Sequence, residues 1–298
     1  METITSAQNP KIKNLLLLQE KSRARREQGL FVVEGRRELE HCLEAGYSVK
    51  TIFVCPEIFG CDAAEGVVSR ISGHPRPDKR EGPAAVGRGR GRSEAEAISD
   101  TTPSAADAQI IEIPEELYRK VAYRESTEGI IAEVEFKALG LQDLDLPENP
   151  LIMVLESVEK PGNLGAVLRS ADAAGADAVL ICDPLTDLYN PNLIRASIGA
   201  VFTVPTVTCS SEDAIAFLQA RGLQILTAQL QDSSLYYDID MRRGTALVMG
   251  TESTGLTDVW RRAASAHIRI PMLGSLDSLN VSVSAAILLF EAVRQRQI

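Results

Sequence analysis

The hydrophobic positions in the second half of the chain fall into short apolar runs separated by polar or amphipathic stretches. Several of the stretches between the runs favour helices; residues 211–220, for example, open with Ser-Glu-Asp, a good helix start. Alternating strands and helices predict an α/β fold with a mostly parallel sheet covered on both faces. Six runs are typical of strands, namely LIMVLE (151–156), AVLIC (178–182), FTVPTV (202–207), LQILTAQ (223–229), TALVMG (245–250) and HIRIPM (267–272).

The first half has the pattern of a smaller α/β unit. Helical spacing over 11–28 and 36–45 alternates with strand-like runs, which are LFVVE, VKTIFVCPE and, further along, QIIEI and GIIAEVEF. Between them, residues of about 72–108 contain almost no large apolar side chain and are rich in Gly, Pro, Ser and charge. Such a segment predicts a disordered insertion. We therefore expect a domain over 1–137, a linker over 138–149 and a second domain over 150–298.

Ligands of parallel α/β sheets bind outside the carboxyl ends of the strands. That rule directs attention to four loops, which are residues 156–165, 228–234, 250–256 and 271–280. We expect the functional residues of the second domain to converge there.

Charge changes the picture of the first domain. The chain has a formal net charge of −10, yet residues 1–92 contain 16 Lys and Arg against 12 Asp and Glu. A local basic patch, rather than a basic protein, is what phosphate groups require. The candidate patch for RNA contact is the set Lys21, Arg23, Arg25, Arg26, Arg36 and Arg37, although a charge run is more often simply a solvated face.

Several classes of protein are disfavoured. No apolar run approaches the roughly 18 residues of a membrane span, and the first residues lack the apolar core of a secretory signal. The five cysteines form no CxxC pair and the three histidines have no ligand spacing, so we expect no metal site. Free thiols indicate a reducing compartment, and we expect a cytoplasmic protein.

Three segments in the second half contain candidate chemistry. In order, they read N-x-G-A-x-x-R (163–169), G-x-E-x-x-G-L (250–256) and I-P-M-x-G-x-x-x-S-L-N-V-S-V (270–283). Each alone is compatible with an ordinary strand, turn and helix. Together, in this order, they resemble the three signature motifs of the SpoU/TrmH branch of the SPOUT RNA methyltransferases.

This resemblance is strong over residues 151–298 and includes the intervening segment 190–205. The first domain is similar, more weakly, to the ribosomal-protein-like RNA-binding domain that many members carry. The resemblance implies a trefoil knot in the C-terminal sheet, a homodimer, and methyl transfer from S-adenosylmethionine to a ribose 2′-hydroxyl of RNA, with ribosomal RNA preferred. By motif match, it also implies cofactor contacts by Thr227, Gly250, Ile270, Met272 and Leu279.

The same match implies a catalytic arginine, Arg169, in a site completed by Asn163, Glu252, Ser278 and Asn280. A guanidinium stays protonated in proteins, so a role as proton acceptor is disfavoured. Our hypothesis is that Arg169 binds the neighbouring phosphate and stabilises the developing alkoxide.

Other functions remain open at this point. The substrate is ribosomal RNA or transfer RNA, and a related enzyme that methylates a base is an alternative. A ribosome-associated RNA-binding protein without catalysis is disfavoured by the intact motif residues. An oxidoreductase is disfavoured because the GxGxxG fingerprint is absent. Lys160 and Thr251 depart from the commonest motif pattern, which leaves the subfamily open.

Overall fold

The computed structural model describes residues 2–59, 108–123, 128–251, 254–275 and 278–297. Nearly all of the insertion predicted as disordered lies outside these residues. The strands are β1 (Glu2–Thr3), β2 (Leu30–Glu34), β3 (Val49–Val54), β4 (Gln109–Glu112), β5 (Ile130–Glu135), β6 (Leu151–Glu156), β7 (Ala178–Cys182), β8 (Thr206–Cys209), β9 (Gln224–Ala228), β10 (Ser234–Leu235), β11 (Thr245–Met249) and β12 (Ala266–Arg269). The helices are α1 (Pro10–Glu20), α2 (Ser22–Gln28), α3 (Arg36–Glu44), α4 (Pro56–Phe59), α5 (Glu115–Val121), α6 (Pro161–Ala174), α7 (Pro191–Ser197), α8 (Ala200–Thr203), α9 (Ser211–Ala220), α10 (Asp258–Ala263) and α11 (Val281–Arg296).

Within the described residues, the first five strands form one mixed sheet in the order β1-β4-β3-β5-β2. Strand β4 pairs in parallel with β1 and β3, whereas β5 pairs antiparallel with β2 and β3. The helical pattern over 11–28 is divided into α1 and α2 at Lys21, whose backbone is extended with φ −110° and ψ 110°. This break turns α2 towards the second sheet.

The remaining strands form a sheet in the order β10-β12-β9-β11-β6-β7-β8. Every pairing recorded in it is parallel, which confirms the predicted sheet. The trefoil knot implied by the family resemblance stays a prediction.

One predicted strand was wrong over four of its six residues. Residues 202–207 were expected to be extended, but Ala200–Thr203 is the short helix α8 and the strand begins only at Thr206. Gly199, with φ 83°, starts the helical turn, and Pro205 disfavours its continuation because the residue before a proline is excluded from the helical region. The apolar side chains of this segment pack inward all the same.

Alternate side chains of the C-terminal strands enter two apolar layers, as a period of two requires. Met153, Leu155 and Val179 face α6, α11 and the first sheet, whereas Val154 and Leu180 face α9 and α10. Because both faces are covered, the central strands β6, β7 and β11 are apolar along nearly their whole length, with Glu156 and Thr245 at strand ends. Aliphatic side chains fill this core, as the low aromatic content predicts.

The two sheets meet at a junction that is itself part of the core. Phe31 of β2 stacks on Tyr189 with ring centroids 4.2 Å apart, and Phe202 contacts both Phe31 and Tyr47. Burial is the main cause that raises the pKa of Tyr189, so its hydroxyl stays protonated and donates to the Lys137 carbonyl at 3.0 Å. We call the contact of residues 25–47 and 136–137 with residues 187–202 the domain junction.

An ion pair closes the domain junction. Arg25 Nε donates to Asp187 Oδ2 at 2.6 Å, and Arg25 Nη1 donates to the Leu18 and Gln19 carbonyls. The side chain of Arg25 is 2% exposed. Arg25 therefore does not belong to the basic surface patch that the charge pattern predicted; it is a structural residue.

Two further observations bear on the class of protein. No helix in the described residues is long and apolar enough to cross a membrane. Over the same residues, no three His, Cys, Asp or Glu side chains are grouped so that they could hold a metal ion.

Candidate active site

A cavity of about 370 Å³ opens at the carboxyl ends of β9, β11 and β12, where the sequence predicted a ligand site. Its floor is apolar and its rim is made by three loops. The wall is formed by residues 228–231, 249–251, 254–256, Arg261, 268–270, Met272, Ser278, Leu279, Val281, Ser284 and Leu288. This volume is in the range typical of small-molecule sites.

The described ends of the second motif, residues 250–251 and 254–256, lie against each other beside the cavity. Thr251 N donates to the Gly255 carbonyl at 3.3 Å, and Gly255 N donates to the Thr251 carbonyl at 3.1 Å. A Cβ atom added to Gly250 would lie 2.4 Å from the Gly255 backbone. The glycine at position 250 is therefore required for the loop to close, and Gly255, with φ 67°, makes the return turn.

Four of the five cofactor candidates lie in the cavity wall, namely Gly250, Ile270, Met272 and Leu279. Thr227 does not. It is fully buried one residue before the wall begins, and its hydroxyl bonds His267 Nδ1 at 2.6 Å. Thr227 therefore supports the strand that leads into the cavity.

The candidate catalytic residues divide into three groups. Ser278 lines the cavity, and Asn280 Nδ2 donates to Asn163 Oδ1 at 3.1 Å, which joins the first motif to the third. Asn280 also caps α11, since its Oδ1 accepts from the Ser282 backbone N–H at 3.0 Å. Glu252 lies outside the described residues.

Arg169 alone forms the third group of candidate catalytic residues. It is exposed on α6, six residues beyond Asn163, which is about 9 Å along a helix axis. Arg169 is not in the cavity wall. No hydrogen bond or ion pair of its side chain is found among the described residues.

Close packing fixes α6, which bears both Asn163 and Arg169. Pro161 begins the helix, and Gly175, with φ 64°, ends it. A Cβ added to Gly165 would lie 2.5 Å from the Ala196 methyl group, so the glycine of the first motif is needed for the contact of α6 with α7. This motif position is explained by packing rather than by a ligand.

Two polar atoms in the cavity wall were not identified from the sequence. Across the described residues, Gln229 Oε1 and Arg261 Nε are the buried side-chain nitrogen or oxygen atoms that lack a hydrogen-bond partner. Both residues line the same cavity. Unpaired buried polar atoms are costly, and their coincidence at one cavity indicates that a polar ligand pairs with them. The sequence pointed to the loop over 228–234 but gave no signal for Gln229 or Arg261 individually.

A parallel sheet with such a cavity at its carboxyl ends, beside an exposed arginine and a pair of asparagines, has the layout of a small-molecule site in an α/β enzyme. The family model of the SpoU rRNA Methylase family matches residues 150–290, and the model of an MRM3-like substrate binding domain matches residues 9–75. The chain belongs to the SpoU/TrmH family of RNA 2′-O-ribose methyltransferases.

Relatives and solved structures support this assignment along most of the chain. The chain is 36% identical to the 23S rRNA (guanosine-2′-O-)-methyltransferase RlmB of Ralstonia nicotianae, over 65% of this chain and 80% of that protein. A crystal structure of an RNA 2′-O ribose methyltransferase is 34% identical, with a TM-score of 0.76, and covers 99% of this chain and 100% of that one. The AdoMet-bound rRNA methyltransferase of Sinorhizobium meliloti is 27% identical, with a TM-score of 0.81 and coverage of 98% and 97%.

Proposed function

We propose that this protein transfers the methyl group of S-adenosylmethionine to a ribose 2′-hydroxyl of ribosomal RNA. The observation that carries the proposal is that all three motif segments come together at the carboxyl ends of the strands. The second and third motifs line the cavity, and the first is joined to the third through Asn163 and Asn280.

The cavity fits the cofactor on its own chemistry. The apolar side chains of Ile270, Leu279 and Leu288 are suited to the faces of an adenine ring. Gln229 Oε1 supplies an acceptor for an amino group, and Arg261 Nε supplies a donor for a carboxylate. When bound, S-adenosylmethionine supplies an electrophilic methyl group attached to a sulfonium.

The residues of the chain then act on the acceptor. A 2′-hydroxyl is a weak nucleophile that must lose its proton and be held in line with the methyl carbon. Arg169 binds the adjacent phosphate and stabilises the developing alkoxide with its fixed charge. The Asn163 and Asn280 amides, held together at 3.1 Å, orient the ribose, and Ser278 at the cavity rim separates the two ligands.

The first domain, matched over residues 9–75 by a substrate-binding model, supplies the RNA contact in this proposal. The cations that support it are Arg26 and Arg37, which have no acidic partner within the described residues, whereas Arg23 pairs with Glu27 and Arg36 with Glu40. Two relatives, from Ralstonia nicotianae and Streptomyces viridochromogenes, are named as 23S rRNA methyltransferases. We accordingly infer a ribosomal substrate and a cytoplasmic site of action.

A homodimer explains the position of Arg169. Helix α11 exposes Val283 and Phe290, which are seven residues apart and so on one face, and Leu279 is exposed just before the helix, so an apolar stripe runs along the open side of the molecule. Helix α6 packs beside it and presents Arg169 on its exposed side. We infer that a second copy covers this stripe and that Arg169 serves the cavity of the partner.

Methyl transfer from labelled S-adenosylmethionine to purified ribosomal and transfer RNA tests the activity. We expect label in ribosomal RNA that is released as an alkali-resistant dinucleotide, the mark of a 2′-O-methyl group. Arg169→Ala should abolish it, whereas Arg221→Ala, an exposed arginine that caps α9 at the opposite edge of the sheet, should not. Label in transfer RNA alone, or in a base, would overturn the proposed substrate.

Mixing two inactive variants tests the shared site. Arg169→Ala and Gly250→Val damage different parts of the reaction, the acceptor side and the cofactor loop. If Arg169 serves the partner's cavity, mixed dimers regain activity in the half-sites where both residues are intact. A mixture that stays inactive although the two variants exchange subunits would contradict the shared site.

A further inference from the structure

Glu156, the last residue of β6, is a buried carboxylate that belongs to none of the contacts described above. It is 2% exposed. Its Oε2 accepts from the Thr257 backbone N–H at 2.9 Å, and its Oε1 accepts from the Thr257 hydroxyl at 2.6 Å. One carboxylate thus holds one residue through both of its oxygens.

The neighbouring Ser211 does not compete for this carboxylate. Its hydroxyl has a single proton, and Asp183 Oδ2 lies at 2.5 Å from Ser211 Oγ, whereas Glu156 Oε1 lies at 3.4 Å. Ser211 Oγ also accepts from Trp260 Nε1 at 2.9 Å. The network therefore has two branches, one from Glu156 to Thr257 and one through Ser211.

Thr257 is the exit point of the loop that closes the cavity. The loop leaves β11 at Gly250, and Thr257 follows its last wall residue, Leu256. Thr257 also precedes α10, where the Arg261 backbone N–H donates to the Thr257 carbonyl at 3.3 Å. Fixing Thr257 therefore fixes both the end of the loop and the start of the helix that carries Arg261.

Buried charge of this kind is expensive unless its hydrogen bonds are retained. The two short hydrogen bonds of Glu156 both go to Thr257, so together they hold this one residue in place. The entry of the loop is secured by the pairing of β11 with β6 and β9. The end of the loop, at Thr257, is held by the packing of Leu256 and by the Glu156–Thr257 contact.

We propose that Glu156 is a positioning residue for cofactor binding, which it controls by holding Thr257 and, through it, the loop over 250–256 and Arg261. The inference rests on the proposed function, since it assigns the cavity to S-adenosylmethionine. It predicts that loss of Glu156 weakens cofactor binding without removing any group that touches the cofactor.

Four full-length single variants, one double variant and one ligand test it. The ligand is S-adenosylhomocysteine, titrated by calorimetry and by the fluorescence of Trp260, the single tryptophan of the chain. Glu156→Ala should weaken binding about tenfold, the cost of losing hydrogen bonds to a charged group. In Glu156→Gln, the amide oxygen still accepts from the Thr257 N–H and the amide nitrogen donates to the hydroxyl, so binding should recover to within about threefold.

Thr257→Val and Ser211→Ala separate the two branches. Thr257→Val should weaken binding less than Glu156→Ala, and the double variant should bind no more weakly than Glu156→Ala, because the hydroxyl bond lost in Thr257→Val is one of the two bonds lost in Glu156→Ala. Ser211→Ala lowers stability by breaking the Trp260 and Asp183 bonds but should leave affinity nearly unchanged. In turnover, Glu156→Ala should raise KM for the cofactor more than it lowers kcat.

The outcomes are distinct. Equal weakening by Ser211→Ala, or additive effects of Glu156→Ala and Thr257→Val, would show general loosening and overturn the positioning role. If Glu156→Ala does not fold, unchanged affinity in Thr257→Val, a variant whose Trp260 emission reports whether it is folded, would overturn the positioning role as well. A wild-type protein that does not bind S-adenosylhomocysteine would instead overturn the proposed function itself.

Discussion

Buried polar groups are treated in opposite ways at the domain junction and at the active-site edge, by which we mean the carboxyl ends of the strands of the second sheet. At the junction, Arg25 is almost completely buried, yet its guanidinium bonds Asp187 and two carbonyls. At the active-site edge, Arg169 is exposed without a described partner, and Gln229 and Arg261 each keep an unpaired buried atom. The junction is complete within one chain, whereas the edge is complete only when ligands and, in our proposal, a second copy are present.

This difference predicts where mutations act. Truncation at the junction should cost stability and leave the chemistry intact, because the bonds that are lost are bonds of the folded chain. Truncating a side chain at the active-site edge should reduce ligand binding or turnover and leave stability unchanged, because the partners of these side chains are ligands and not parts of the folded chain. Folding and function are thus separable by location.

Asp187→Ala is the strongest way to test the junction. It leaves the Arg25 guanidinium buried without its counter-charge, which costs about 3–5 kcal/mol. Urea unfolding should show this loss, while the affinity for S-adenosylhomocysteine measured below the unfolding transition stays the same. A loss below about 1 kcal/mol would mean that water reaches Arg25 and that the junction is not closed.

Asn163→Ala tests the edge. It removes the acceptor of the Asn280 amide in the pair that we propose orients the ribose, so methyl transfer should fall about a hundredfold at saturating cofactor. The free energy of unfolding should change by less than about 0.5 kcal/mol, as for a surface change. A destabilisation comparable to that of Asp187→Ala would break the comparison.

Arg261→Leu tests the unpaired atoms. Removing Arg261 Nε should weaken binding of S-adenosylmethionine about tenfold, which corresponds to about 1.4 kcal/mol. Decarboxylated S-adenosylmethionine, which lacks the acceptor we assign to Arg261, should be affected much less. The control is Arg262→Leu, the exposed neighbour on α10, and an equal loss in this control would show that only the net charge matters.

Glu133→Gln tests whether pairing or burial makes a carboxylate favourable, and its expected effect is the smallest. Glu133 is buried in β5, and its hydrogen-bond partners are the neutral side chains of Thr51 and, at 3.3 Å, Asn14, unlike Asp187, which has Arg25. Burial, the largest cause, raises the pKa of Glu133 above the ordinary 4.5. Its contribution to stability is therefore fully present below the unfolded pKa and is lost as the pH rises through the higher pKa of the folded protein.

Glu133→Gln should remove the loss of stability that ionisation of Glu133 causes as the pH rises. At pH 7 we expect Glu133→Gln to be as stable as the wild type or more stable by about 1 kcal/mol, and the two should converge near pH 4. Thermal unfolding followed from pH 4 to pH 8 gives the comparison. A variant that is less stable at neutral pH would show that the charged form of Glu133 is favourable.

The sequence predicted those parts of the structure that follow from local pattern. Strands β6, β7, β9 and β11 were found because strands covered on both faces form short apolar runs, and parallel pairing followed from the order of elements. The helix at 200–203 was missed because Gly199 and Pro205 outweigh the strand preference of Phe202 and Thr203. The position of the cavity was predicted from the rule that ligands bind at the carboxyl ends of strands.

Long-range pairing could not be predicted in the same way. Arg25 and Asp187 are 162 residues apart, and nothing in the basic run marks one arginine as buried. Glu156 ends an apolar run and resembles any polar strand terminus until Thr257, 101 residues later, is seen on it. The unpaired atoms of Gln229 and Arg261 depend on every neighbour being placed, which no local pattern contains.

The domain junction also limits how this protein can be recombined with its relatives. A chimera cut in the linker at 138–149 would exchange the first domain but keep residues 187–202, and an incoming domain would have to supply its own match for Asp187 and for the face of Tyr189. The unit of exchange is therefore not the contiguous first domain. It is that domain together with the segment of the second domain on which it rests, so grafting a new RNA specificity onto this enzyme requires two crossover regions rather than one.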